Sequence, residues 1–470
     1  MKENQRENDV QNPMLKIASC LLVLQLLTTL AGCASRYAQK LEERRVDFYE
    51  TVDLDKAREN LERCQKRASA KEKTPLTLES ASLDLAQGKV KDAQTKLRDV
   101  RDELDSLDAM RAKATGEKLL SLWMDENASS FDGEDYEKVM IRVYLALTEL
   151  LVNGHDARAY AFQIEEKQDA IVRGGLMDDP NNEGKKINPK VQYPRLPIGP
   201  YLEGILAEET YLEQGEAARC YRKVVEWSPS FAQGKKDVER AEKGVHSQPG
   251  NGRLYLFALV GKGPRKEQTY AEATQFALLV ADQIFSATSK YSVPPTIAPV
   301  PIPEIVVDSP NIASVALEAN GEKIGLSETI VDVNEMAAKE FEAVKDLILA
   351  RAIVRRITKK GTVYVAKEAA QVNPWVSLAA DLGGVVWEAT ETADTRCWGL
   401  LPAKIQVLTA ELPAGETQIV VYPTDRQGNK IGEACRRTVH IPKNRNAYVM
   451  VNYPDRYPVG TILASGDGSN

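Results

Sequence analysis

The sequence predicts a multidomain α+β protein: an array of paired helices over residues 33–247, a mixed α/β region over 248–400, a small β-sandwich-like module over 401–456 and a flexible tail over 457–470. Two changes of texture predict it. Up to about residue 245 the apolar residues recur at helical spacing and are interrupted by single glycines. After Gly250-Asn251-Gly252, short apolar runs alternate with turn residues, which is the pattern of strands. A chain of 470 residues has room for two or three such units. Its 43% hydrophobic and 27% charged content is that of a globular chain, which disfavours disorder and a polytopic membrane protein. A net charge of −7, with Lys and Arg scattered among acids, excludes general nucleic-acid binding, which needs a basic stripe to displace counterions.

The first element is the segment Ile17–Leu30, fourteen residues preceded by Lys16 and followed by Ala31-Gly32-Cys33. It is shorter than the roughly 20 residues that a spanning helix needs and it ends in small residues, so residues 1–32 read as a signal peptide. Leu30-Ala31-Gly32-Cys33 resembles the lipobox of bacterial lipoproteins, which implies that Cys33 is acylated and becomes the mature N-terminus. Two or three acyl chains hold a protein at a membrane where one chain does not, so the protein is expected to be anchored through lipid at Cys33 rather than to span. Ala34 stands where an inner-membrane retention signal has Asp. By resemblance, the chain is sent to the outer membrane of the cell envelope and faces the periplasm. Glu3, Glu7 and Asp9 are unusual ahead of a signal core, and Met14 makes a better start than Met1.

The helical part follows. Leu83 to Gly88 leads into Ala93 and Leu97; Tyr144 to Asn153-Gly154 leads into Ala157 and Phe162; Leu202 to Gly215 leads into Ala217, Tyr221 and Trp227-Ser228-Pro229. Each unit has an apolar helix, a turn glycine and a small residue early in a second helix. The pattern resembles a degenerate tetratricopeptide repeat, in which stacked helix pairs bury faces that no pair buries alone. Residues 174–200, with several prolines and Asp178-Asp179-Pro180, read as a long loop. His155, one of only three histidines, sits at a turn and reads as a surface residue rather than a ligand or base.

Behind the boundary, Leu254–Val260 is a short uninterrupted apolar run and reads as a buried strand. Five prolines between Val293 and Pro303 force an extended edge. Ile312–Leu317 reads as a strand closed by Asn320-Gly321. Asn334 reads as a helix cap, with Gly361 as the exit behind Arg355, Arg356, Lys359 and Lys360. Lys404–Thr409, Thr417–Tyr422, Glu433–Ile441 and Ala447–Tyr453 are the strands of the sandwich-like module.

Export leaves Cys64, Cys220, Cys397 and Cys435, of which Cys397 and Cys435 are the candidate disulfide; otherwise they are small core residues. Asp394, Arg396 and Trp398 are spaced by two, so in an extended segment they share one face. They form either a binding patch for carbohydrate or peptide, or a buried ion pair beside an indole.

Asp135-Tyr136-Glu137, Tyr144-Leu145-Ala146-Leu147, Gly154-His155-Asp156-Ala157, Gly263-Pro264, Ala350-Arg351-Ala352-Ile353, Ala393 to Trp398 with Leu401-Pro402, and Leu412-Pro413-Ala414-Gly415 together resemble an uncharacterised family of bacterial lipoproteins with a tetratricopeptide-like front half and a β-rich back half. In that family Ser tends to stand where this chain has Cys397, which speaks against the disulfide. The family's association with a lipoprotein activator of penicillin-binding proteins implies envelope partners such as the peptidoglycan synthesis machinery.

The chain has no HExxH, Cys-x-x-Cys, Gly-x-Ser-x-Gly or dinucleotide fingerprint, so no catalytic residue, cofactor or metal is assigned. The expected function is a protein-interaction scaffold or adaptor rather than an enzyme. The alternatives are a glycan-binding module and a hydrolase of wall material built on two carboxylates, which have no reliable sequence signature.

Overall fold

A computed structural model describes residues 32–113, 131–286, 293, 297–369 and 392–466. The signal core lies outside the described residues. Cys33 falls in the first turn of helix α1 (Gly32–Tyr49).

The front half is built from helices packed in sequence order: α2 (Leu54–Arg67), α3 (Ala70–Ala86), α4 (Val90–Ala112), α5 (Asp135–Val152), α6 (Ala157–Gly174), α7 (Ile198–Glu208), α8 (Gln214–Trp227) and α9 (Ala232–Glu242). Some of their starts are capped by local side chains. Asp53 accepts the N–H of Lys56 at α2, and Ser69 with Glu72 forms a capping box at α3. Gly88 (φ +78°) and Gly154 (φ +74°) make the left-handed turns between α3 and α4 and between α5 and α6. Ala93, Ala157 and Ala217 are buried where the second helix of each pair meets the first. In the third pair the break differs from the sequence expectation: Tyr211–Glu213 forms a 3₁₀ turn, which moves Gly215 into the first turn of α8. The 174–200 insertion carries a two-residue hairpin, β1 (Met177–Asp178) with β2 (Lys186–Ile187), and a 3₁₀ turn at Pro189–Gln192.

The back half contains two facing sheets. One has the order β13-β12-β3-β9-β8, from β3 (Asn251–Val260), β8 (Glu328–Asp332), β9 (Lys404–Pro413), β12 (Asn446–Tyr453) and β13 (Leu463–Ala464). The other has the order β11-β10-β6-β7, from β6 (Ser314–Ala319), β7 (Glu322–Leu326), β10 (Gly415–Thr424) and β11 (Cys435–Ile441). Leu254, Leu256 and Ala258 of β3 point into the core shared with Leu317, Ile419, Val421 and Ile441 of the second sheet. The alternate residues Tyr255, Phe257 and Leu259 enter the core of the helical array. The larger sheet is thus the middle layer of three. Its central strand is covered on both faces, which is why β3 reads as an unbroken apolar run instead of an alternating one.

The sandwich expected from residues 401–456 therefore draws strands from 251–332 as well. β3 pairs antiparallel with β9 and parallel with β12. The tail expected to fray from residue 457 is fixed as far as Gly466: Val459, Ile462 and Leu463 are buried, and the Gly466 N–H donates to the Leu151 carbonyl.

A smaller unit joins the hairpin β4 (Arg265–Ala271) and β5 (Val300–Val306) to α10 (Gln275–Ser286) and the long α11 (Val333–Ala369). The proline-bearing β5 pairs only with β4, as an edge. Asp332, not Asn334, caps α11 by accepting the Glu335 N–H, while the Asn334 amide donates to the Asp308 carbonyl. The helix continues through Gly361 rather than leaving there.

At Gly204 of α7 a Cβ would stand 2.6 Å from the Tyr221 ring, whose hydroxyl is held by Glu208. Alanine gains about 1 kcal/mol of helix propensity, but overpacking costs about 1–3 kcal/mol where the neighbour cannot move. Gly204→Ala is expected to lower stability by up to about 2 kcal/mol, read as a lower urea midpoint.

Candidate functional site

The described polar groups converge on the N-terminus of α5. Glu134 is its cap residue and forms a capping box with Glu137, whose carboxylate accepts the Glu134 N–H at 2.8 Å. The other oxygen of Glu137 accepts the Trp398 N–H at 2.6 Å. From α11, Glu340 accepts the N–H of Tyr136. Helix N-termini expose unpaired N–H groups and positive potential, so three acids gathering there is electrostatically reasonable.

The surroundings raise or lower each proton affinity. Burial pushes the fully buried Glu137 up to about 7, with the Lys266 charge opposing. Burial and the neighbouring Asp135 hold Glu340 well above the usual carboxylate range. Burial works against the Lys266 ammonium, but Glu134, Asp394 and Glu137 outweigh it and raise its pKa. Lys266 bonds Glu134 at 2.6 Å, joining the β4–β5 hairpin to α5.

Asp394, Arg396 and Trp398 complete this centre, but not as an exposed patch. The Arg396 N–H donates to Asp394 Oδ1, closing an Asx-type turn, and the two side chains pair with each other while the Trp398 ring is buried beside them. The Arg396 guanidinium grips Asp394 with two hydrogen bonds, of 2.9 and 2.7 Å, and donates to the Lys71 carbonyl at 2.7 Å. Burial would raise Asp394, yet Arg396 and Lys266 keep it below the usual range. Trp398 is fully buried; its indole N–H donates to Ser82 and its ring lies 5.1 Å from that of Tyr144. The buried ion pair beside an indole is the arrangement observed.

Cys397 and Cys435 are both free thiols. Cys397 is enclosed in the 392–403 segment beside α5, where burial pushes its thiol up to about 12, whereas Cys435 starts β11 with its N–H on the Tyr453 hydroxyl. They belong to different layers. His155 is exposed, as expected.

A cleft of about 590 Å³ opens beside this centre, between the α5 N-terminus and α11. Phe341, Val344 and Ile348 of α11 form its apolar wall. Its acids are already partnered: Asp135 with Lys190, Asp108 with Lys138 and Lys167, Asp132 with Arg111. The Tyr136 hydroxyl is buried in its floor with no hydrogen-bond partner among the described residues.

Elsewhere, Glu203, Glu216 and Cys220 bring one ligand atom each within 4.8 Å of one another. Arg219 already holds the Glu216 carboxylate with two hydrogen bonds, so this group is an ion-pair cluster before it is a metal site.

Sequence reasoning missed Glu134, Lys266 and Glu340 as members of the centre. The Glu134-x-x-Glu137 spacing ahead of an apolar run was the available signal for a helix cap; nothing local marks Lys266 or Glu340. Comparison with protein-family models, with curated proteins and with solved structures finds no match.

Removing Asp394 leaves two buried cations without their shared acid. Asp394→Ala is expected to cost about 3–5 kcal/mol, seen as a large drop in melting temperature. Glu137 binds its proton more tightly folded, at about 7, than its ordinary value of 4.5. Its contribution is therefore full below pH 4.5 and is lost as pH rises to about 7. The Glu137→Gln variant is expected to flatten that stretch of the stability–pH curve, measured by urea unfolding at successive pH values.

Proposed function

We propose that the chain is a lipid-anchored protein of the bacterial cell envelope, attached through Cys33 to the outer membrane and facing the periplasm, that works as a protein-interaction scaffold. The cleft beside α5 carries this reading. It combines an apolar wall on α11 with a floor and rim whose charges are neutralised internally, a surface suited to receiving a partner's segment. The same pairing disfavours hydrolysis, since Glu134, Asp135, Asp108 and Asp394 are held by cations and Glu137 and Glu340 by backbone N–H groups. Neither a second sheet nor stacked helix pairs need a cofactor to present such a surface. Among the described residues no helix is long and apolar enough to cross a membrane.

A photo-crosslinking residue at Val344, introduced in the native host, tests the reading. It is expected to capture an envelope protein whose purified form binds the chain, with Ile348→Glu weakening that binding at least about tenfold, the size of a central interface contact. No adduct, together with an unaltered envelope on deletion of the gene, would sink the scaffold. Sedimentation with purified peptidoglycan that depends on Ile348 would instead favour a glycan ligand for the same cleft.

A further inference from the structure

The helix that begins at the acylation site is clamped to the body almost from its first turn, and this fixes how near a membrane must lie. Cys33 precedes Tyr37, whose hydroxyl is buried, by four residues, and Leu41, which is 2% exposed, by eight. At a rise of 1.5 Å per residue, only roughly 6 Å of helix separates the acylated position from the first packed side chain. The helix cannot swing away from the body. Arg44 is paired with Glu79, Arg45 donates to the Gly399 carbonyl at 2.6 Å, and the Tyr49 hydroxyl donates to the Leu401 carbonyl at 2.6 Å.

The neighbours of this helix end are identifiable. The Arg44 guanidinium lies over the Tyr37 ring at 5.7 Å and donates to Cys64 Sγ at 3.4 Å near the end of α2, and Arg396 donates to the Lys71 carbonyl. That contact brings the α2–α3 junction beside the start of α1. The junction carries Lys66, Arg67, Lys71 and Lys73. Lys66, Arg67 and Lys73 are exposed. The acid within this stretch, Glu72, is engaged by the Ser69 N–H and hydroxyl in the α3 capping box.

Ordinary helix electrostatics explain half of the cluster. Lys66 and Arg67 end α2, where cations complement the dipole. Lys73 occupies the first turn of α3, where the dipole disfavours a cation. The screening length at physiological ionic strength is about 8 Å, longer than the roughly 6 Å of helix that follows the acylated residue. A bilayer that holds Cys33 therefore lies within about one screening length of the first packed turn of α1, beside which the junction stands.

We propose that the basic α2–α3 junction is a membrane-contact surface, which lies on anionic phospholipid headgroups when Cys33 is acylated. The proposal rests on the lipid-anchor reading above and adds an orientation to it: the α1 end of the helical array faces the bilayer.

Full-length protein purified from the native host, with its acyl groups verified by mass spectrometry, is reconstituted into vesicles of phosphatidylcholine alone or of phosphatidylcholine with phosphatidylglycerol. An amine-reactive reagent then reports on Lys66 and Lys73, with the exposed Lys443 as internal reference. On the anionic vesicles, labelling of both lysines relative to Lys443 is expected to fall about tenfold and to recover in high salt. Arg67→Glu is expected to restore it about fivefold. Equal labelling on the two vesicle types with acylated protein would overturn the surface and leave the anchor standing. Absence of acyl groups on Cys33 would overturn both.

Discussion

The Glu137 carboxylate ties together parts of the chain that lie far apart in sequence. One oxygen closes the capping box of α5 and the other receives the Trp398 N–H, from a residue 261 positions away. A buried carboxylate is costly unless it is hydrogen-bonded, and here the helix end and the strap at 392–403 supply the donors while the nearby Lys266 charge favours the ionised form. Once that acid is placed, the hairpin bearing Lys266, the helix bearing Glu340 and the segment bearing Trp398 are each drawn to the same spot. The cleft is the space left where these three elements fail to close completely.

The second organising constraint is the strand Asn251–Val260. Because both of its faces are covered, it transmits the position of the helical array to the outer sheet. The helices bury Tyr255 and Phe257, and the sandwich buries Leu254 and Leu256, so a displacement on one side must be absorbed on the other. The front and back halves are consequently one packed body among the described residues, and the texture change at Gly250 marks a change of secondary structure rather than a flexible joint.

Much of this was legible in the sequence where the signal is local. Gly88 and Gly154 marked real helix turns because a left-handed backbone favours glycine, and the Asn320-Gly321 pair marked the β6–β7 hairpin for the same reason. Strand partners were not legible. Pairing of β3 with β12 spans nearly two hundred residues and leaves no imprint on either segment beyond apolar character. The polar centre was half legible: the spacing of Asp394 and Arg396 suggested a pair, which forms around an Asx turn, but nothing in the spacing told that the indole would be buried rather than exposed. Several segments that carried the family resemblance, around Asp135, Gly263, Ala393 and Leu401, meet at this centre through Glu137, Lys266, Arg45 and Tyr49.

The layered arrangement also governs the order in which the chain can be completed. Neighbouring helix pairs are low in sequence separation and form quickly, whereas the middle sheet waits for strands beyond residue 400 before its central strand is enclosed. The first helix waits as well, since its clamps are carbonyls at 399 and 401. The earliest segment is thus among the last to find its place, and until the outer sheet closes Leu254 and Leu256 stand open to other chains. A cell that makes this protein must shield an unfinished sheet until strands from about the last seventh of the chain are in place.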